Sequence, residues 1–526
     1  MDKFKVGHGS ERSWMWKPSS GQPSARWAGV LHDSEAWSPG LKRTVAVGAV
    51  NNLLFAAGGS ALTYLQTVLA IRVLDPSQIG IFAMASAVAY TIEWISDFGV
   101  GDRLVREEHE DLQECFHSAV TLQCLLAFAL WIVIMVSAPW LARFYRQPAL
   151  RVLIIAMSYS AFAGLLRLPL SLFYREMNYV RQRLLTFIGK AAGFVVTVTM
   201  VYTGAGLWSL VFGSAAALLA TAIPAWILSP LRPGWLLDPV HIRRLMNFSS
   251  PVWTSRLSYV LVQQGSILVL SAFLSVQDVG RFKCAETLAT FVFYVEVVLG
   301  QTLFPAFCRI RNSKEALANA FSQASRISMF WIAGSSFGMY LFANDIVRFV
   351  LTSKWNGAEL FIKAQGVAVL FGATIFGWES LLKAKNQTAP ILHMSLLFAG
   401  VFTLVFAPMV YFWGPKGAAA GLVLLNIITL VGRMYWLDHV DVHISLVDIS
   451  KRSVGSAIAA AAVVLAFQKI AFSKAMTNWF AFAVELLLFT GTYLVLFTAW
   501  EAKSIRAIKN VLFRTENWAE QPLASG

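Results

Sequence analysis

The 526 residues are 57% hydrophobic and only 14% charged, whereas a soluble domain carries about 45–50% apolar and about 25% charged residues. This composition excludes both an ordinary soluble domain and a disordered chain, and leaves a protein that resides in a bilayer. A formal charge of +14 would suggest nucleic acid as the partner of a soluble chain, but its placement between apolar runs has a membrane explanation, and no nucleic-acid partner is expected.

The elements follow from the length a helix needs, about 20 apolar residues for a hydrocarbon core of about 30 Å. Residues 1–43 come first and are polar, with Trp14, Trp16, Trp27 and Trp37 set among Ser, Gly and Pro. They lack the apolar block of a signal peptide and read as a disordered cytoplasmic extension whose tryptophans touch the membrane interface. About fourteen spans follow. In the first half they fall near 44–71, 80–101, 116–142, 149–172, 181–203 and 206–228. In the second half they fall near 248–273, 278–300, 323–345, 363–385, 390–413, 417–436, 453–471 and 478–499. Membrane β-strands alternate apolar and polar residues, and the run from Ser456 to Ala466 does not. The fold class expected is all-α and polytopic.

Two stretches near the starts of apolar runs nearly repeat one another 200 residues apart (274 − 74). Leu74, Gly80, Phe82 and Ala85 recur as Leu274, Gly280, Phe282 and Ala285, with Ile79 matched by Val279. A weaker echo pairs Gly204-Ala205-Gly206-Leu207 with Gly414-Pro415-Lys416-Gly417. Such internal repeats mark transporters whose substrate path runs between two related lobes. The expected organisation is a six-helix lobe at 44–229, a basic cytoplasmic connector at 230–247 and a second six-helix lobe at 248–436. An appended helix pair at 437–500 and a cytoplasmic tail at 501–526 complete it.

With the N-terminus inside, roughly 28 Lys and Arg fall on the cytoplasmic side and roughly 12 outside, as the positive-inside rule requires. Arg143, Arg146 and Arg151 run against that trend. The interior loops are too short to fold as domains, and no G-x-x-x-x-G-K-[ST], H-E-x-x-H or G-x-S-x-G motif occurs. No catalytic residue and no cofactor is therefore expected, and the protein reads as a non-enzyme that works inside its helix bundle. Cys115, Cys124, Cys284 and Cys308 are scattered without C-x-x-C spacing, so neither metal nor disulfide is implied.

Ionisable groups within the spans cost from about 2.5 kcal/mol upward, which makes each a functional candidate. Lys190 and Arg256 lie roughly 8–9 residues, and Arg167 roughly five, from the cytoplasmic ends of their spans, or about 12–14 Å and about 8 Å deep. Together they are expected to ring an inward-open cavity, with snorkelling to the interface as the rival for each alone. Ser249, Arg256 and Gln263 recur every seven residues on one face, and Ser160, Arg167 and Ser171 share another. Lys283, Thr287, Thr290 and Tyr294 form a third stripe in which Glu286 can pair with Lys283 at i+3. Arg167, Lys190, Arg256, Gln263 and Lys283 are the candidate substrate-binding residues, suited to a diphosphate or carboxylate. Glu93, Asp97, Glu296 and Glu379 are the candidates for balancing these cations or relaying protons.

Several segments, read in order, resemble one family. They are Ala70-Ile71-Arg72-Val73-Leu74, Asp97-Phe98-Gly99-Val100-Gly101, Phe173-Tyr174-Arg175-Glu176-Met177-Asn178-Tyr179, Gly204 to Leu210, Ser229-Pro230-Leu231-Arg232-Pro233, Phe304-Pro305-Ala306 and Lys354-Trp355. The chain resembles bacterial polysaccharide exporters and lipid-linked oligosaccharide flippases, especially the colanic acid and teichuronic acid exporter branch. These belong to the multidrug/oligosaccharidyl-lipid/polysaccharide exporter superfamily. The resemblance implies two six-helix lobes closing alternately around a cationic cavity, and an undecaprenyl-diphosphate-linked glycan moved across the cytoplasmic membrane. It implies as partners that glycan, membrane lipid, and a polysaccharide polymerase with its export machinery. A cation-coupled antiporter of the same superfamily, or a membrane polysaccharide polymerase, is the alternative.

Overall fold

A computed structural model describes residues 39–106, 112–246 except Met177, Val240 and Arg244, 264–310, 313–440 except Asn386 and Thr388, 442, 444–471 and 479–500, apart from the side chains of 39–54 and of most of 294–306. Two compact units, 1–53 and 54–526, divide the chain. The expected disordered extension lies outside the described residues up to 38.

Every regular element among the described residues is helical. The main helices are α1 (Pro39–Val73), α2 (Pro76–Ser96), α3 (Val100–Arg106), α4 (Leu112–Phe144), α5 (Pro148–Ala156), α6 (Ala163–Arg167), α7 (Pro169–Arg175), α8 (Tyr179–Tyr202) and α9 (Trp208–Ile227). There follow α10 (Gln264–Phe273), α11 (Val276–Ile310), α12 (Lys314–Leu341), α13 (Ala358–Gly372), α14 (Trp378–Ala384), α15 (Ala389–Val401), α16 (Ala407–His439), α17 (Leu446–Ala471) and α18 (Trp479–Trp500). Among the described residues, eight helical stretches are long and apolar enough to cross a bilayer. One of them, Ala389–His439, contains two expected spans joined through a kink at Gly414-Pro415, where Gly414 has φ 56°. Others of the fourteen expected spans are helical but carry more charge, as in α11 and α12, or are broken, as between α13 and α14.

The breaks have local causes. Between α5 and α6 the chain tightens into a 3₁₀ turn at Ser158–Phe162, and Pro169 then opens α7 immediately after Leu168. Proline supplies no N–H for a continuing helix, so the expected span 149–172 is found as one apolar stretch, Pro148–Arg175, assembled from short pieces. The Ser160, Arg167, Ser171 stripe consequently does not form one helical face. Ser160 is buried at 2% exposure while the Arg167 side chain is half exposed.

Small residues bring α8 and α9 together. A Cβ on Gly193 would fall 2.9 Å from Ala217 Cβ, and one on Gly189 would strike Thr221 Oγ1. Gly189, Gly193 and Thr197 thus oppose Gly213, Ala217 and Thr221 with a four-residue spacing on both helices, the close-packing pattern of membrane interfaces. Thr197 also accepts a 2.9 Å hydrogen bond from Gln66 Nε2 of α1.

The repeated glycines meet one another. Where α2 and α11 pack together near their N-terminal ends, a Cβ on Gly80 would collide with the carbonyl oxygen of Val276, and one on Gly280 with that of Pro76. The partners carry the same 200-residue offset, 76 with 276 and 80 with 280, so the contact is reciprocal, as across a twofold axis. Side chains would hold the backbones apart here; glycine lets them touch.

Further along, α18 lies on α12 through stacked aromatic rings, with Tyr493 Oη donating a 2.6 Å hydrogen bond to the Phe330 carbonyl. A cavity of about 500 Å³ between them is lined by Phe330, Trp331, Phe342, Phe482 and Phe489.

Candidate functional site

The best-defined polar centre sits where α6 meets the C-terminal end of α2. Gly164 packs so closely that a Cβ there would collide with the Ser96 carbonyl, and its N–H donates a 3.1 Å hydrogen bond to Ser96 Oγ. That contact sets the register. Three residues after Gly164 comes Arg167, and three before Ser96 comes Glu93, so the two side chains meet and Arg167 Nη1 donates to Glu93 Oε1. The Arg167 side chain is 47% exposed and that of Glu93 22%. A charged pair in an apolar span that remains accessible fits a water-filled cavity better than lipid.

Tyrosines surround the pair. Tyr90 stands one turn before Glu93 on α2, and Tyr159 is held by a 2.6 Å hydrogen bond between its Oη and Ser214 Oγ of α9. Below them Gln123, 1% exposed, approaches Gly164 with an Oε1 that has no hydrogen-bond partner among the described residues. The centre therefore offers a cation, a carboxylate, two phenols and a buried amide within a few turns.

Lys190 lies elsewhere. It projects from α8 across α1, where a Cβ on Gly59 would fall 2.8 Å from Lys190 Cδ. Arg183, two turns earlier on the same face, acts electrostatically on it. No described contact joins Lys190 to Arg167, and Lys190 has no hydrogen-bond or ion-pair partner among the described residues.

Arg256 and Gln263 lie outside the described residues, as does the side chain of Glu296. Lys283 pairs with Glu286 at 2.7 Å, as the i+3 spacing suggested. Asp97 caps α2, its backbone N–H returning to the Glu93 carbonyl. Glu379 binds Lys383 at 3.1 Å within α14, both half exposed, a local pair rather than a partner for the other candidate cations. Sequence reasoning passed over Glu485, which is 8% exposed on α18 and accepts a 2.8 Å hydrogen bond from Gln468 of α17. A lone carboxylate inside the apolar run 479–500 was the available signal.

The chain has recognisable relatives. The model of a family described as polysaccharide biosynthesis protein matches residues 68–359. Over 411 residues the chain is 24% identical to the succinoglycan biosynthesis transport protein ExoT of Rhizobium meliloti, covering 76% of this chain and 81% of that one. It is 22% identical over 394 residues to the probable low-salt glycan biosynthesis flippase Agl15 of Haloferax volcanii, covering 72% and 80%. Among solved structures, the lipid II flippase MurJ in an inward closed conformation matches at TM-score 0.72 and 13% identity, covering 86% of this chain and all of that one. An inward-facing multidrug resistance MATE family transporter matches at TM-score 0.60 and 13% identity, covering 77% and 99%. At such identities the likeness is one of fold.

Proposed function

We infer the cargo from kinship: the chain belongs to the polysaccharide biosynthesis protein family, and its curated relatives are named as a transport protein and a flippase for glycans. It is a multi-pass membrane protein that moves glycan precursors rather than transforming them. Its cargo, in our reading, is an oligosaccharide repeat unit linked to undecaprenyl diphosphate, destined for exopolysaccharide or lipopolysaccharide. Two lobes, 44–229 and 248–436, close alternately around a cavity in the cytoplasmic membrane, with both termini in the cytoplasm. A polymerase and export machinery receive the product.

The observation that carries this reading is the accessible Arg167–Glu93 pair set between apolar spans. A guanidinium can hold a diphosphate through two parallel hydrogen bonds, and charge-assisted bonds of this kind are roughly twice as strong as neutral ones. Glu93 occupies Arg167 while no anion is bound and leaves it when a diphosphate arrives. Lys190, with Arg183 beneath it, supplies a second cationic station toward the α1 side, and Arg256 with Gln263 completes the ring from the second lobe.

Depleting the protein in its host tests the cargo. A lipid-diphosphate oligosaccharide is expected to accumulate as a single repeat unit while surface glycan falls. Normal surface glycan without accumulation would remove this function. Replacing Lys190 with Ala should leave the protein in the membrane and lower glycan export by about tenfold to 100-fold, the value of one charge-assisted hydrogen bond. A lysine serving as interface anchor would instead reduce protein abundance and leave export per molecule unchanged. Cysteine labels at 240 and 505 should react from the cytoplasmic side alone, and labelling of both from outside would reverse the topology.

A further inference from the structure

The Lys354-Trp355 dipeptide belongs to none of the chemistry above, yet it ties together parts of the chain 284 residues apart. It lies in a turn between Leu351 and α13. Trp355 is wholly buried, and its indole N–H donates a 2.8 Å hydrogen bond to the carbonyl of Ile71. Lys354 Nζ lies 3.3 Å from the carbonyl of Val73 and 3.1 Å from Asp75 Oδ1. Both acceptor carbonyls belong to the end of α1, where a helix leaves its last C=O groups without partners and carries the negative end of its dipole. The Asp75 N–H, one donor the Ile71 carbonyl would have had in a longer helix, goes instead to Gln78 Oε1. The turn is a hook shaped for a helix end.

The hook is held stiffly from its own side. Thr352 adopts φ 94° and ψ 159°, a backbone region that residues with a Cβ rarely occupy. The Arg281 guanidinium packs on Gly357, 3.2 Å from where a Cβ would stand, and is fixed by a 2.8 Å pair with Asp278. Arg281 and Asp278 belong to α11, the helix whose Gly280 crosses Gly80. The hook and the glycine crossing therefore join the same two regions at the same end of α2 and α11.

We propose that the Lys354–Trp355 hook and the Gly80–Gly280 crossing together form a releasable latch, which closes the transport path at this end and must open once in each cycle. The proposal rests on the transporter reading above. Its contacts suit repeated opening. At its two glycines the crossing meets largely through backbone, and the Lys354 and Asp75 side chains, half exposed, can exchange their pair for water.

Cysteines at 75 and 354, in a chain with Cys115, Cys124, Cys284 and Cys308 replaced, can be joined by a short bis-thiol crosslinker that a reductant cleaves. The joined protein should transport at background level, at least about tenfold below the uncrosslinked protein, and recover on cleavage. Transport at the uncrosslinked rate with the link complete would overturn the latch. Trp355→Phe keeps the ring and removes the N–H. It should raise the reaction of a thiol label at position 79 with a membrane-impermeant reagent by about threefold to tenfold, the scale of one lost hydrogen bond. A merely structural contact predicts lower protein abundance with label accessibility unchanged, and that result would also overturn it. The label reports opening without any substrate, so accessibility that rises as expected in a protein moving no lipid-linked glycan would retain the latch and remove the cargo assignment.

Discussion

Replacing Gly80 with Ala is expected to abolish most transport while leaving the protein in the membrane, and replacing Gly280 with Ala should do so to a similar extent. The atoms in the way are largely backbone. At 80 the new methyl strikes the Val276 carbonyl oxygen and stands 2.9 Å from Val276 Cγ1; at 280 it strikes the Pro76 oxygen and stands 3.0 Å from the Gly80 nitrogen. No side-chain rotation relieves either, so α2 and α11 must separate. Overpacking a close contact costs about 1–3 kcal/mol, enough to shift a closed-to-open equilibrium by about five- to 150-fold. Alanine would stabilise each helix in isolation by up to about 1 kcal/mol, so a loss here opposes helix propensity and isolates the crossing. Export per molecule, normalised to membrane abundance, is the measurement. Two variants at wild-type rate would remove any functional role for the crossing, and one tolerated beside one lethal would contradict its reciprocity.

Arg167→Ala is expected to reduce transport by about tenfold to 100-fold, since charge-assisted hydrogen bonds contribute about 1.5–3 kcal/mol. Its effect on stability should be smaller. Breaking a fully buried pair costs about 3–5 kcal/mol, but the Arg167 side chain is 47% exposed, and water screening brings the loss toward the 1 kcal/mol scale of exposed pairs. The double variant Arg167→Ala with Glu93→Gln separates the two roles. If the pair merely neutralises itself, removing both charges should restore transport. If Arg167 holds the cargo's anion, the double variant stays as poor as the single one, and Glu93→Gln alone, with Arg167 released, binds the lipid-linked substrate more tightly. Binding of a labelled lipid diphosphate and initial transport rates, measured on all three, decide between them.

How far these features were legible in the sequence depended on whether they were local. Hydropathy placed the long spans because a bilayer sets their length, and α4, α8, α9 and α18 fall where expected. The Lys283–Glu286 pair is three residues apart on one continuous helix, so periodicity found it. The partnership of Arg167 with Glu93 spans 74 residues and depends on the 3₁₀ turn and Pro169 that break the fourth span. Reading that span as one helix grouped Arg167 with Ser160, which in fact points into the core. Glu379, a candidate for balancing the cations or relaying protons, pairs with Lys383 one turn away in α14, a partner that the i+4 spacing made available in the sequence. The repeat displayed Gly80 and Gly280 as equivalent, but their mutual contact depends on how α2 and α11 cross, which no one-dimensional pattern contains. The sequence marked Lys354-Trp355 only as a segment of the family resemblance; the acceptor of Trp355 is a backbone carbonyl, and carbonyls leave no mark in a sequence.

Purified protein in liposomes gives the most direct measurement, with an undecaprenyl-diphosphate-linked oligosaccharide initially confined to one leaflet. The glycan should become accessible to an enzyme acting at the opposite surface, faster than in protein-free liposomes and slower with Arg167→Ala. If the glycan stays where it was placed while the same liposomes exchange an organic cation for protons, the protein is an antiporter and the lipid-linked cargo proposed for it is wrong.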